Sequence, residues 1–266
     1  MHKVIIVGAS GRMGRMLVRA VAESEHAKLV AATEREGSTL LGVDAGELAG
    51  VQTLGVAIHS SIPEGLDADV IIDFTTPKAT LAHAKLAAQR GIQMVIGTTG
   101  LDKNELQTLS AILAASATVK ASNFSVGVTL ALQLIEQAAA VLEADYDAEI
   151  IEAHHRHKVD APSGTALSMG EALATGRQVA LDDVAVYSRE GIVGARESGS
   201  IGFSVVRGGD IVGKHQVLFA GLGESLEIQH TATDRMTFAR GALRAALWVG
   251  DQEAGLYDMR DVLGLN

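Results

Sequence analysis

No cysteine occurs among the 266 residues, which removes disulfides, thiolate metal sites and a thiol nucleophile and fits a reducing cytosol. Basic residues are outnumbered: 22 Lys and Arg against 32 Asp and Glu leave a formal charge of −10. That balance argues against nucleic acid or an anionic membrane surface as the main partner, because neutralising phosphates needs a basic face. No charged leader, long apolar core and cleavage site precede the first strand-like run, so the expected location is cytoplasmic. The most apolar stretch, Phe124 to Leu142, contains Gln133, Glu136 and Gln137 and reads as a buried or interface helix, not a membrane span. Low-complexity tracts, internal repeats and obvious linkers are missing as well.

What is present is enough chain for one large α/β domain or two smaller ones. The first 123 residues alternate short β-branched runs (Lys3–Val7, Lys28–Thr33, Val70–Phe74, Gln93–Gly97, Thr118–Asn123) with helical stretches. Thr76-Pro77 predicts a helix start and Gly91 its end, and Asp102 with Glu105 resembles a capping box. Such an order predicts a Rossmann-like, doubly wound parallel sheet. Beyond Asn123 come a long helix, Val126 to Leu142, a strand at Asp147–His155 and a helix from about Gly164. Strands near Ser200–Arg207, His215–Ala220 and Leu226–Thr231 follow, which predicts a second α+β domain with a mixed sheet. Residues 238–266 read as helical, since Ala242, Ala245, Ala246 and Val249 share a face.

Gly8-Ala9-Ser10-Gly11-Arg12-Met13-Gly14 follows the first strand and opens a helix. Glycines there permit a tight turn and a close backbone approach to a pyrophosphate, and the free amides of the helix start attract its charge. A plain glycine turn is the bland alternative. Glu34 ends the second strand 20 residues past Gly14, where a carboxylate can accept from a ribose diol. Arg35 beside it can pair with a 2′-phosphate or simply sit in solvent, so NADH and NADPH both remain open. Asp73-Phe74-Thr75, Gly97-Thr98-Thr99-Gly100 and Ser122-Asn123-Phe124 also stand at strand ends. In a doubly wound sheet these ends line one crevice.

The second domain holds the densest charge, Glu152-Ala-His154-His155-Arg156-His157-Lys158, followed by Pro162-Ser163-Gly164-Thr165. If the strand ran on, His154, Arg156 and Lys158 would project from one side and His155 and His157 from the other, which makes a three-histidine metal cage awkward. His155 and His157 alone remain a metal alternative, but no further ligand set has recognisable spacing, so no metal is expected. Pro162–Thr165 predicts a helix N-terminus, which attracts a carboxylate or phosphate. An anion seat beside histidines suits a ligand that must also receive a proton; a capped helix next to a solvated basic strand end is the bland alternative.

Together these motifs resemble 4-hydroxy-tetrahydrodipicolinate reductase, also called dihydrodipicolinate reductase, of bacterial lysine and diaminopimelate synthesis. The likeness runs from residue 4 to Met259-Arg-Asp261, and the His-His-Arg-His-Lys-x-Asp-Ala-Pro-Ser-Gly-Thr run is its most specific part. It implies NADH or NADPH held by Gly8–Met13, Glu34, Arg35, Gly97–Thr99 and Ser122–Phe124. It also implies a small dicarboxylate substrate held by His155, Lys158, Ser163, Gly164 and Thr165, with His154 and Lys158 supplying protons. A nucleotide domain of residues 1–125 and 235–266, a substrate-binding and oligomerisation domain of residues 126–234, hinge closure in turnover and a homotetramer are further expectations. The competing classes are another NAD(P)-dependent dehydrogenase, which has no need of the basic run, and a nucleotide sensor, which needs no proton donors.

Overall fold

A computed structural model describes residues 1–265; Asn266, at the end of the expected C-terminal segment, lies outside the described residues. The chain begins β1 (His2–Val7), α1 (Arg12–Ala22), β2 (Ala27–Thr33), α2 (Ala45–Ala49), β3 (Ile58–His59), β4 (Val70–Asp73), α3 (Pro77–Arg90), β5 (Gln93–Ile96), α4 (Lys103–Ile112) and β6 (Ala117–Lys120). It continues through α5 (Val126–Leu142), β7 (Asp147–His154), α6 (Gly164–Gly176), α7 (Leu181–Val184), β8 (Ala185–Val186), β9 (Ile201–Arg207), β10 (Gly213–Ala220) and β11 (Ser225–Ala232). The last elements are α8 (Met236–Val249), β12 (Gly255–Tyr257) and α9 (Met259–Leu263).

Contacts divide the chain into two compact units, Met1–Val126 with Met236–Asn266, and Gly127–Arg235. In the first, seven strands pair in the order β12-β6-β5-β4-β1-β2-β3, every pair parallel. β1 shows why its apolar run is continuous. Val4 and Ile6 pack with α1 and α8 on one face, Ile5 and Val7 with α3 and α4 residues on the other, and all four are fully buried. Each such side chain contributes about 1.5–3 kcal/mol relative to exposure. Asp102 and Glu105 close the capping box of α4, and Gly91 ends α3 in the left-handed conformation, φ 66°. Thr76 occupies the N-cap position of α3 without a side-chain cap.

The C-terminal segment departs from the uniform helix expected over 238–266. Its helical face ends at Val249, and Gly255–Tyr257 then adds a parallel edge strand against Ala117–Val119 of β6. A three-residue edge strand carries too little pattern to read, because its pairing partner lies far upstream.

The second unit is a five-stranded mixed sheet, ordered β11-β10-β7-β9-β8, with β10 antiparallel to β7 and β11 and the other pairs parallel. In β7, Ala148, Ile150, Glu152 and His154 alternate inward. The first two join α5 and α6 residues in the core with Val217 and Phe219 of β10 and Ile201 and Phe203 of β9. The apolar α5 buries Val128, Ala131, Ile135 and Ala139 while Leu130, Leu134 and Val141 stay exposed. Among the described residues no helix is long and apolar enough to cross a membrane.

Candidate functional site

In the first unit the parallel strands end on one edge, and the expected nucleotide residues follow those ends. Gly8 leaves β1 at φ 67°, a conformation that disfavours any side chain, and a Cβ there would stand 2.8 Å from Thr75 Cγ2. At Gly14 a Cβ would overlap the Gly8 carbonyl and the backbone of Ala9, so α1 packs on the turn only because this position is bare. The turn is pinned by Gly11 N–H donating to Gly8 O (3.1 Å) and Ala9 N–H to Thr33 O (2.9 Å). Gly11 caps α1 without a side chain, which leaves first-turn amides facing outward.

Glu34 bends back to this turn: its carboxylate accepts from the hydroxyl and amide of Ser10 and from the amide of Arg35 (2.9 Å). Burial pushes its carboxyl up, but those hydrogen bonds outweigh it and hold the group below the usual carboxylate range. The acceptor is thus ionised and placed beside the glycine turn. Arg35 is exposed.

Asp73, fully buried at the end of β4, ties the next two loops together. It accepts from the Thr75 amide (2.9 Å) and hydroxyl (2.6 Å) and pairs with His83 Nδ1 (2.8 Å), while Thr98 Oγ1 lies 3.3 Å away and contacts Thr80 Oγ1 at 2.8 Å. Thr98 is therefore enclosed and Thr99 exposed. Phe124 is buried against Phe74 (5.3 Å between ring centres), Asn123 Oδ1 accepts from the Ser125 amide (2.8 Å), and Ser122 is exposed.

In the second unit β7 stops at His154, and the chain turns: Arg156 N–H donates to Gly209 O (3.2 Å) and Lys158 N–H to His155 O (3.1 Å). The strand alternation expected through Lys158 accordingly fails beyond His154. His155 and His157 rings lie 6.3 Å apart. Nε2 of His155 is 3.3 Å from the Arg235 guanidinium, and burial, then the Arg235, His157, His154 and Lys158 charges, hold its pKa below the ordinary imidazole value. Lys158 Nζ pairs with Asp160 (2.9 Å).

The feature that spacing did not reveal is Glu152, 1% exposed. One oxygen lies 2.6 Å from His154 Nδ1 and accepts from Arg207 Nη1 (2.7 Å), the other accepts from the Ser163 amide (3.0 Å) and Arg207 Nη2 (2.8 Å). Burial raises its pKa, and these donors, Arg207 foremost, more than reverse that. Ser163 caps α6, accepting from Ala166 N–H (3.2 Å), and its hydroxyl lies 3.1 Å from His215 Nε2. His215, whose ring meets His154 edge-on at 4.9 Å, is pushed down to about 4, chiefly by burial. Ser163 is enclosed, Gly164 exposed and Thr165 half-buried. Glu152, Arg207 and His215 were not among the expected site residues; the available signal was a charged residue at an inward strand position two before His154.

A family model described as dihydrodipicolinate reductase, N-terminus, matches residues 2–124, and one described as dihydrodipicolinate reductase, C-terminus, matches residues 127–263. A dipicolinate-bound dihydrodipicolinate reductase from Paenisporosarcina sp. TG-14 is 27% identical over 97% of each chain, with a TM-score of 0.78. An amine dehydrogenase from Mycobacterium smegmatis (12% identity, 96% of this chain and 94% of that one, TM-score 0.64) shares the fold. So does a myo-inositol dehydrogenase from Corynebacterium glutamicum (15%, 96% and 90%, 0.59). With both halves matched in order, the chain belongs to the dihydrodipicolinate reductase family and is an NAD(P)H-dependent oxidoreductase of lysine biosynthesis.

Proposed function

We propose that this chain reduces its substrate as a diacid seated on the second unit, with His154 and Lys158 delivering the proton. The observation that carries the reading is that one buried carboxylate holds both parts of such a seat: Glu152 binds His154 Nδ1 at 2.6 Å and the amide of Ser163, the cap of α6, at 3.0 Å. A proton donor and a helix N-terminus suited to a carboxylate are thereby fixed to one point. The start of α6 at Gly164 and Thr165 takes one carboxylate, and His155 and Lys158 assist. Ser163, enclosed by its own cap and His215, acts by shaping the turn.

The nucleotide residues fit a dinucleotide: a turn so tight that a Cβ at Gly8 or Gly14 would clash, outward amides through Arg12 and Met13, and an ionised Glu34 for a ribose. Arg35 reads a 2′-phosphate when one is present. Gly97, Thr99 and Ser122 line the same sheet edge, whereas Ala9, Thr98, Asn123 and Phe124 act through backbone placement, their side chains being enclosed or engaged elsewhere. When bound, the reduced nicotinamide supplies hydride to ring carbon C4 after water loss. The enamine left behind needs a proton on the neighbouring carbon; His154 provides it, and the cationic surroundings offset the accumulating negative charge.

We further infer a cytoplasmic homotetramer built through the second unit, whose sheet face opposite α5 and α6 leaves Val206 half-exposed. Loss of NADPH absorbance on adding the freshly made condensation product of pyruvate and aspartate semialdehyde tests the reaction. His154→Gln and Lys158→Ala should each cut turnover by about 10²-fold or more while NADPH titration stays near wild type. Lost cofactor affinity with unchanged turnover would reverse the assigned roles.

A further inference from the structure

We propose that Glu152 and Arg207 form a positioning pair that fixes the tautomer of His154 and, through Asp160, the place of the Lys158 ammonium. The inference rests on His154 being the proton donor, and adds what makes it one.

The hydrogen-bond count decides the state of Glu152. Three contacts are donors whatever the state of the imidazole: Arg207 Nη1 on one oxygen, and the Ser163 amide and Arg207 Nη2 on the other; the fourth, His154 Nδ1, lies 2.6 Å from the first oxygen. A two-point guanidinium pairing plus a backbone amide holds the carboxylate ionised, and an ionised carboxylate is acceptor only, so the oxygen facing Nδ1 has no proton to give it. His154 Nδ1 must therefore carry hydrogen in both protonation states of the ring. Nε2 is left as the atom that gains and loses the proton. In the reaction the Nε2–H bond breaks as the substrate C–H bond forms, the ring returns to its neutral Nδ1–H form, and water restores the proton.

Arg207 extends the arrangement. Besides gripping Glu152 with both terminal nitrogens, it donates to the Asp160 carbonyl (2.7 Å), and the Asp160 side chain pairs with Lys158 Nζ. A single guanidinium from β9 thus ties the buried carboxylate to the loop that bears the second proton donor. The planar fork is what makes this possible; a lysine has one point of charge. His154 meets Glu152 on its own strand at Nδ1 and His215 on β10 edge-on, its charge acts on the neighbouring His155, and Arg207 on β9 reaches it through Glu152.

Imidazole 15N spectra of the wild-type protein test the assignment without any substitution: neutral His154 should show Nδ1–H, and an Nε2–H tautomer overturns the proposal. Glu152→Gln presents one carbonyl and one amide, so the tautomer should switch. Turnover should then fall about 10²-fold or more, with KM for NADPH within about two-fold. Arg207→Lys, which keeps the charge and loses the fork, should lower kcat about ten-fold and serves if the first variant does not fold. Wild-type kcat in folded Glu152→Gln while His154→Gln is inactive sinks this proposal alone. Wild-type turnover in His154→Gln sinks the reading beneath it.

Discussion

A Cβ placed on Gly213 would stand 3.2 Å from Nε2 of His154 and 3.5 Å from Cε1 of His215. The backbone of β10 therefore passes directly beside the nitrogen assigned to proton delivery, with less than ordinary van der Waals room for a methyl between them. In Gly213→Ala the imidazole must yield by a few tenths of an ångström. Since proton transfer depends on alignment, kcat should fall about ten-fold with little change in melting temperature. Steady-state kinetics beside a thermal melt check it, and full turnover would show that the space beside Nε2 is unimportant.

At the glycine turn the expectation is different in kind. Gly14→Ala puts a methyl onto the Gly8 carbonyl, with no flexible side chain to give way. Overpacking of this sort costs about 1–3 kcal/mol, and the turn must open to relieve it. Both NADH and NADPH titrations should weaken together, accompanied by a lower denaturation midpoint. Weakening of one nucleotide alone would point away from the pyrophosphate contact.

Cofactor choice is separable from that contact. Glu34 is held by Ser10 and the amide of Arg35, whereas the Arg35 side chain is exposed. Arg35→Ala should raise KM for NADPH about ten-fold and leave NADH nearly unaffected. Equal changes for the two cofactors would show that this guanidinium does not read the 2′-phosphate.

His215 gives a pH signature. Its folded pKa lies near 4, below the ordinary 6.5, so between these values the unfolded chain binds more protons. Its contribution to stability is fully present above about pH 6.5 and is lost as pH falls towards 4, on the order of 3 kcal/mol in all. The charges acting on it are those of His154 and Glu152 on β7, His230 on β11 and Lys158, and the burial-lowered His155 and His230 add slope of the same sign. His215→Gln removes one share only. Urea denaturation between pH 7.5 and 4.5 should show a shallower loss in the variant; parallel curves would mean that His215 titrates normally.

How legible all this is in the sequence depends on distance along the chain. β1, β4 and β5 announce themselves because burial on both faces demands apolar runs such as Val4–Val7, Val70–Ile72 and Met94–Ile96, and the Gly8–Gly14 turn because a tight backbone leaves no alternative residue at Gly14. β3, β8 and β12 have two or three residues each, and only their partners define them. The basic run stands out in the sequence, but its wiring does not. Arg207 lies 55 residues from Glu152, and His215 lies 52 from Ser163, so only the folded sheet joins them. His155–Lys158 misled in one respect, since a turn replaces the strand that alternation implied.

Because α8 and β12 complete the first unit from the far end of the chain, a ribosome releases residues 127–235 before the nucleotide sheet can acquire its edge or the helix that packs on its core. The inserted unit has all its strands while the enclosing one still waits, so the younger part of the polypeptide, not the older, is the first able to finish folding during synthesis.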